Sequence, residues 1–120
     1  MWMKAIDSNN SAYLNSAWGM MNQVEVVKLL REKNNLLYTT LKQKNPEQLS
    51  SLEFQLYQEI NSHFTQVLKE LETTYPVSQE LSWIEKLQKK EQLMSQAREM
   101  TWQWILNLKV LQTKYWREYI

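Results

Sequence analysis

From Ser11 to about Gln43, apolar residues recur every three or four positions: Leu14, Ala17, Trp18, Met21, Val24, Val27, Leu30, Leu37 and Leu41. That spacing lays them on one helical face and predicts a first helix over 11–43. Gly19 sits inside it, where glycine costs about 1 kcal/mol relative to alanine. It marks a bend or a close approach. The stretch KNPEQLSSLEF then breaks the pattern. Asn45 suits a cap, Pro46 suits a first helical position that needs no donor, and Gln48 falls where a capping box takes Glu or Gln. A second helix is predicted over 46–73, with Leu49, Leu52, Leu56, Ile60, Phe64, Val67, Leu68 and Leu71 on its face. So short a connection folds the two into an antiparallel hairpin.

Pro76 supplies the second break, because it disfavours helix at Tyr75. Ser78 is then the natural cap of a third helix over 79–119, which holds no Gly or Pro. As one helix it would span about 60 Å. A joint would fall near the polar run from Gln88 to Gln92. The predicted fold is all-α: one domain over 1–120, an antiparallel bundle of three long helices, or four if the last segment breaks.

The last helix carries more apolar surface than one core face uses. At 100° per residue, Ala97, Trp104, Leu108, Leu111 and Tyr115 fall near one line, with Met94 and Ile105 beside it. Trp102, Leu106 and Val110, spaced four apart, fall nearly opposite, with Met100 and Trp116 flanking the gap. A three-helix bundle covers one stripe per helix. Something else must cover the second: the chain's own Trp2, Met3 and Ile6 or a bent first helix, a second copy in a homo-oligomer, or a partner helix or peptide. Burying a large apolar side chain stabilises by about 1.5–3 kcal/mol, and left wet such a stripe invites aggregation.

Composition sharpens the fold class. One Gly and two Pro in 120 residues leave little for the tight turns that sheets require. The chain has no Cys, which excludes a disulfide framework and thiolate metal sites and agrees with a reducing compartment. A net charge of +1 gives no general pull toward nucleic acid or acidic membranes. The opening MWMKAID lacks a signal-peptide core, and no window approaches the roughly 20 apolar residues of a membrane span. The expectation is a soluble cytoplasmic protein.

Catalytic chemistry is sparse. His63 is the single histidine, and a di-iron or zinc site in a helical bundle would need more. Glu59 lies one turn before it, so an i, i+4 pair is the plain expectation. No glycine-rich loop exists to hold phosphate. Lys109, Lys114 and Arg117 interleave with aromatic residues, as in single-strand binders, but Glu80, Glu85, Glu91, Glu99 and Glu118 offset the basic residues of this segment. No catalytic residue, metal ligand or cofactor is assigned; neither nucleic acid nor a membrane span is expected.

The run VEVVKLLREKNNLLYTTL near the start and IEKLQKKEQLMSQAREMTWQWILNLKVLQTKYWREY near the end resemble, in length and periodicity, the FliT-type export chaperones of flagellar and type III secretion. The resemblance implies a cytosolic, non-enzymatic chaperone that shields an aggregation-prone helical terminus of its client by helix-in-groove packing, without ATP. The partner-binding residues expected on this chain are Trp102, Leu106, Val110 and Trp116, with Met20, Met21 and Met100 as an adaptable rim. The alternative is a homo-oligomeric structural or regulatory protein, an adaptor or inhibitor, that pairs through the same stripe.

Overall fold

The structure, a computed structural model, describes residues 20–120. The described residues form α-helices and 3-10 segments with no strand, so the fold is all-α. The predicted helix start at Ser11, and Gly19, lie outside the described residues.

Helix α1 spans Gln23–Lys33 and opens on a capping box. Asn22 Oδ1 accepts from the Glu25 N–H at 2.8 Å, and Glu25 Oε1 accepts from the Asn22 N–H at 3.0 Å. Starting the helix there sets its phase. Val26, Leu29 and Leu30 are buried, while Val24 turns to solvent and Val27 is half-buried.

The first predicted helix does not run through to 43. It divides at Asn34, whose backbone leaves the helical region at φ −138° and ψ 66°. The Asn34 N–H closes α1 on Leu30 O at 2.8 Å, and its Oδ1 accepts from the Leu37 N–H at 3.3 Å to open α2, Asn35–Lys44. Short polar side chains compete for backbone groups in this way, which is why asparagine caps helices better than it continues them. Leu37 and Leu41 of α2 are buried, as the pattern predicts.

Helix α3, Pro46–Thr74, starts as predicted: Asn45 Oδ1 accepts from the Gln48 N–H at 3.1 Å, with Pro46 in the first turn. Its buried face is Leu49, Leu56, Ile60, Phe64 and Val67, with Leu52, Leu68 and Leu71 packed at the margin.

Helix α4, Trp83–Leu106, starts later and ends earlier than 79–119. Ser82, not Ser78, is the cap, because Ser82 has an acid three residues on. Its Oγ accepts from the Glu85 N–H at 3.2 Å, and Glu85 Oε1 in turn accepts from the Ser82 N–H at 3.4 Å. Ser78 holds the preceding turn, its Oγ accepting from the Glu80 N–H. The polar run 88–92 is continuous helix.

The break comes at Asn107, where the chain departs into 3-10 segments Lys109–Leu111 and Thr113–Tyr119. The Asn107 side chain bonds back to Gln103 O at 2.8 Å and holds the helix end. A straight helix would carry Val110 onward along the exposed Trp102 and Leu106 line. Leaving the helix turns both Val110 and Leu111 into the core.

Helices α1 and α2 pack on α3, α4 packs chiefly along α3, and the C-terminal segment returns across α2 and α1. Helices α3 and α4 run antiparallel in a fixed register. His63 stacks on Trp104, and eleven residues further along α3 Thr74 shares a cleft with Leu93, eleven residues back along α4.

Candidate protein-binding surface

The predicted second stripe of the last helix is split by the end of α4. Trp102 and Leu106, one turn apart, remain exposed, Leu106 more than Trp102 at 55% against 39%. They flank the fully buried Ile105, so one side of α4 is core and the next is open. Ile84 lies eighteen residues, or five turns, before Trp102 and therefore on the same line, and it too is exposed. The outer face of α4 is thus apolar at both ends. Glu91, Ser95 and Arg98 occupy its middle.

The other expected contact residues do not join that surface. Val110 is 7% exposed and its carbonyl accepts from Asn34 Nδ2 at 2.9 Å, so it is a core residue. Met100 is exposed but sits two residues from Trp102 and so about 200° around α4, on the far side. Trp116 is half-buried against the core, with the Arg117 guanidinium 5.4 Å from its ring centroid.

Met20 and Met21 are buried. Asn61 holds them there: its Oδ1 accepts from the Met20 N–H at 2.6 Å and the Met21 N–H at 3.1 Å, and its Nδ2 donates to Met21 O at 2.9 Å and Tyr57 O at 3.1 Å. An adaptable methionine rim needs accessible side chains, which these are not.

The single histidine is engaged by a ring. The His63 and Trp104 rings lie 4.0 Å apart and nearly parallel, at 3°. Glu59 meanwhile accepts from Gln55 Nε2 at 3.1 Å. Among the described residues, no group of three or more His, Asp or Glu side chains is arranged to hold a metal ion. Nor is any helix long and apolar enough to cross a membrane. The C-terminal cations lie over the chain's own rings: Lys109 and Lys114 approach Tyr115 at 4.9 and 5.0 Å, and Lys109 also pairs with Glu118 at 3.3 Å. The stacking surface that a nucleic acid would use is thereby partly covered.

Two ionisable groups are shifted by their surroundings. Burial raises the Glu53 carboxyl above its ordinary range, against the opposing pull of Lys42. Burial also raises the Tyr119 phenol, reinforced by Glu118 and Glu59 and opposed by Lys109.

A cleft of about 820 Å³ lies between the turn after α3 and the first half of α4. It is lined by Tyr75, Val77, Leu81 and Leu93 beside the polar Lys89 and Gln96.

Sequence patterning missed two polar residues that organise the packing, Asn34 and Asn61, and saw Gln48 only as part of a helix cap. Gln48 Nε2 donates to Tyr119 O at 2.7 Å and pins the C-terminal segment. Asparagine within an otherwise good helical run was the available signal, and its partners, 76 residues away for Asn34, were not. No known protein family, curated protein or solved structure matches the chain.

Proposed function

We propose that this chain is a small non-enzymatic binding protein that shields a hydrophobic helical segment of a client protein, in the manner of cytosolic FliT-type export chaperones. The observation that carries the proposal is the pair Trp102 and Leu106, exposed one turn apart on a long helix beside the buried Thr101 and Ile105. An amphipathic client helix laid along α4 would bury both, and it would meet Ile84 at the far end about 33 Å away. Tryptophan is prominent among residues that dominate binding energy at such contacts.

The test is a double substitution, Trp102→Ala with Leu106→Ala, in the intact chain. Helicity and melting are expected to stay nearly unchanged while capture of the client, identified by mass spectrometry and then purified, falls at least tenfold. A large drop in melting temperature would instead make the pair part of the core.

The same face supports a homo-oligomer as a second reading, for one specific reason. Its apolar ends and polar middle are close to symmetric about Ser95. An antiparallel copy would set Ile84 against Leu106 and bring Glu91 near Arg98 of its mate, the self-complementary pattern of a two-fold interface. Sedimentation at low micromolar concentration separates the two readings, and a strict monomer removes the second.

A further inference from the structure

The cleft beside the first half of α4 is built from two walls that are each held in place. One wall is a face of α4: Lys89, Gln92, Leu93 and Gln96 follow at i, i+3, i+4 and i+7, so their side chains line up over about 10 Å of helix. Gln96 sits about 120° around α4 from Trp102, so this is not the face proposed for a client. The other wall is the chain from Tyr75 to Leu81, which is tied at three points. The Tyr75 N–H donates to Leu71 O at 2.8 Å, the Leu81 N–H to Ser78 O at 3.4 Å, and the Glu80 N–H to Ser78 Oγ at 3.2 Å. At about 820 Å³ the cleft falls within the range of about 300–1,000 Å³ typical of small-molecule sites, most of which are formed before the ligand arrives.

The charged and polar groups in the cleft favour an anion. Lys89 supplies a cation, Gln92 and Gln96 supply amide donors, and no carboxylate is among the lining side chains. Among the described residues, none of these three is engaged in a hydrogen bond or an ion pair. The acid one turn before Lys89 is already committed: Glu85 Oε1 accepts from the Ser82 N–H at 3.4 Å and from the Ser82 hydroxyl at 2.9 Å. Leu93, which is buried, and the half-buried Val77 and Leu81 give the same space an apolar lining. One cation with neutral amides balances one negative charge, and the apolar lining is dried only by a hydrocarbon body.

We infer that this cleft binds a small monocarboxylate with an apolar body. The carboxylate is held by the Lys89 ammonium and the Gln92 amide, one turn apart, and the hydrocarbon lies against Val77, Leu81 and Leu93. Hydrocarbon that displaces water around the pair strengthens it relative to open solvent. The site is separate from the Trp102 and Leu106 face and stands whether or not a client binds there.

Octanoate is the probe, with octanol as the matched neutral compound and octyl phosphate as the more highly charged one. Each is titrated into the intact chain and followed by amide proton–nitrogen NMR. Octanoate is expected to saturate with shifts centred on residues 74–81 and 89–96 and to bind at least about fivefold more tightly than octanol, the worth of one exposed ion pair. Lys89 is exposed, so Lys89→Met is expected to leave melting unchanged and to bring octanoate down to the level of octanol, with octanol itself little affected. Equal binding of octanoate and octanol by the parent chain overturns the inference, as does octanoate binding that Lys89→Met leaves intact. Tighter binding of octyl phosphate overturns the choice of a monocarboxylate. Shifts centred on Trp102 and Leu106 overturn the placement, because the octyl chain then sits on the client face. Failure to saturate by ~10 mM octanoate, an affinity too weak for a specific site, overturns it as well.

Discussion

Asn34 does three jobs with one side chain and its own backbone, and it does them with no exposure to water. It ends α1, begins α2, and ties α2 to the C-terminal segment through Val110. Asn34→Ala leaves the Leu37 N–H and the Val110 carbonyl unpaired in the core, at a cost of about 2–4 kcal/mol. The expected result is a melting temperature lower by on the order of 10 °C, checked by circular dichroism; a change within about 2 °C would mean that water replaces both bonds. Asn34→Asp separates the roles. It keeps an acceptor for Leu37 but sets a buried carboxylate against the Val110 carbonyl, so it is expected to destabilise more than alanine at neutral pH. Glu53 gives the pH counterpart. Its carboxyl is raised in the folded chain by burial, so the protonated form favours folding. That contribution is fully present below the unfolded value of 4.5 and is lost as pH rises through the higher folded value. Glu53→Gln is therefore expected to raise stability at pH 7 and to change little near pH 3, as denaturant titration at the two pH values would show. An equal effect at both would remove burial as the cause.

At the level of the elements, what was legible in the sequence was decided by local chemistry. The start of α3 was readable because Asn45, Pro46 and the stripe from Leu49 to Leu71 all agree. The all-α class followed from the same spacing rules. Where two local signals competed, the sequence left the choice open: Ser78 follows the proline, but only Ser82 is followed three residues later by an acid that completes a reciprocal cap. Ser82→Ala is expected to cost about 1 kcal/mol and Ser78→Ala to cost much less; the order of the two melting temperatures checks it, and the reverse order would place the helix start at 79. The end of α4 was not legible at all, because residues 107–120 look helical when taken alone. What pulls them out of the helix is tertiary: Val110 and Leu111 gain burial, and Asn34 and Gln48 wait for the carbonyls of Val110 and Tyr119. The candidate site shrank for that reason. Of the seven residues expected at the surface, Val110 was taken into the core by the turn and Met20 and Met21 by Asn61, Trp116 packs half-buried at the core's margin, Met100 is exposed on another side of α4, and Trp102 and Leu106 stayed out together.

Across the whole molecule, the aromatic-rich tail works as the last wall of the core, while the aromatic-rich end of α4 contributes both to the core and to the open face. The distinction is physical and can be measured. Trp116 and Tyr119 pack at the margin of the cluster that contains Leu37, Leu41 and Leu56, and Gln48 holds the segment's far end. A chain ending at Gln112 loses those contacts, leaves Leu37 and Leu41 of α2 facing water, and frees the Gln48 amide. Two large side chains that are each partly buried contribute about 1.5 kcal/mol apiece, and uncovering the leucines behind them adds a similar amount. The truncated chain is expected to melt on the order of 20 °C lower in one cooperative transition, because α2 packs on the missing segment and Gln48 of α3 is bonded to its end. Trp102→Ala with Leu106→Ala removes as much apolar surface from a face that nothing in residues 20–120 covers, and it is expected to leave that transition in place. Thermal unfolding of the two variants side by side decides the assignment. If the truncation is silent and the double substitution is not, the core and the binding face have been exchanged.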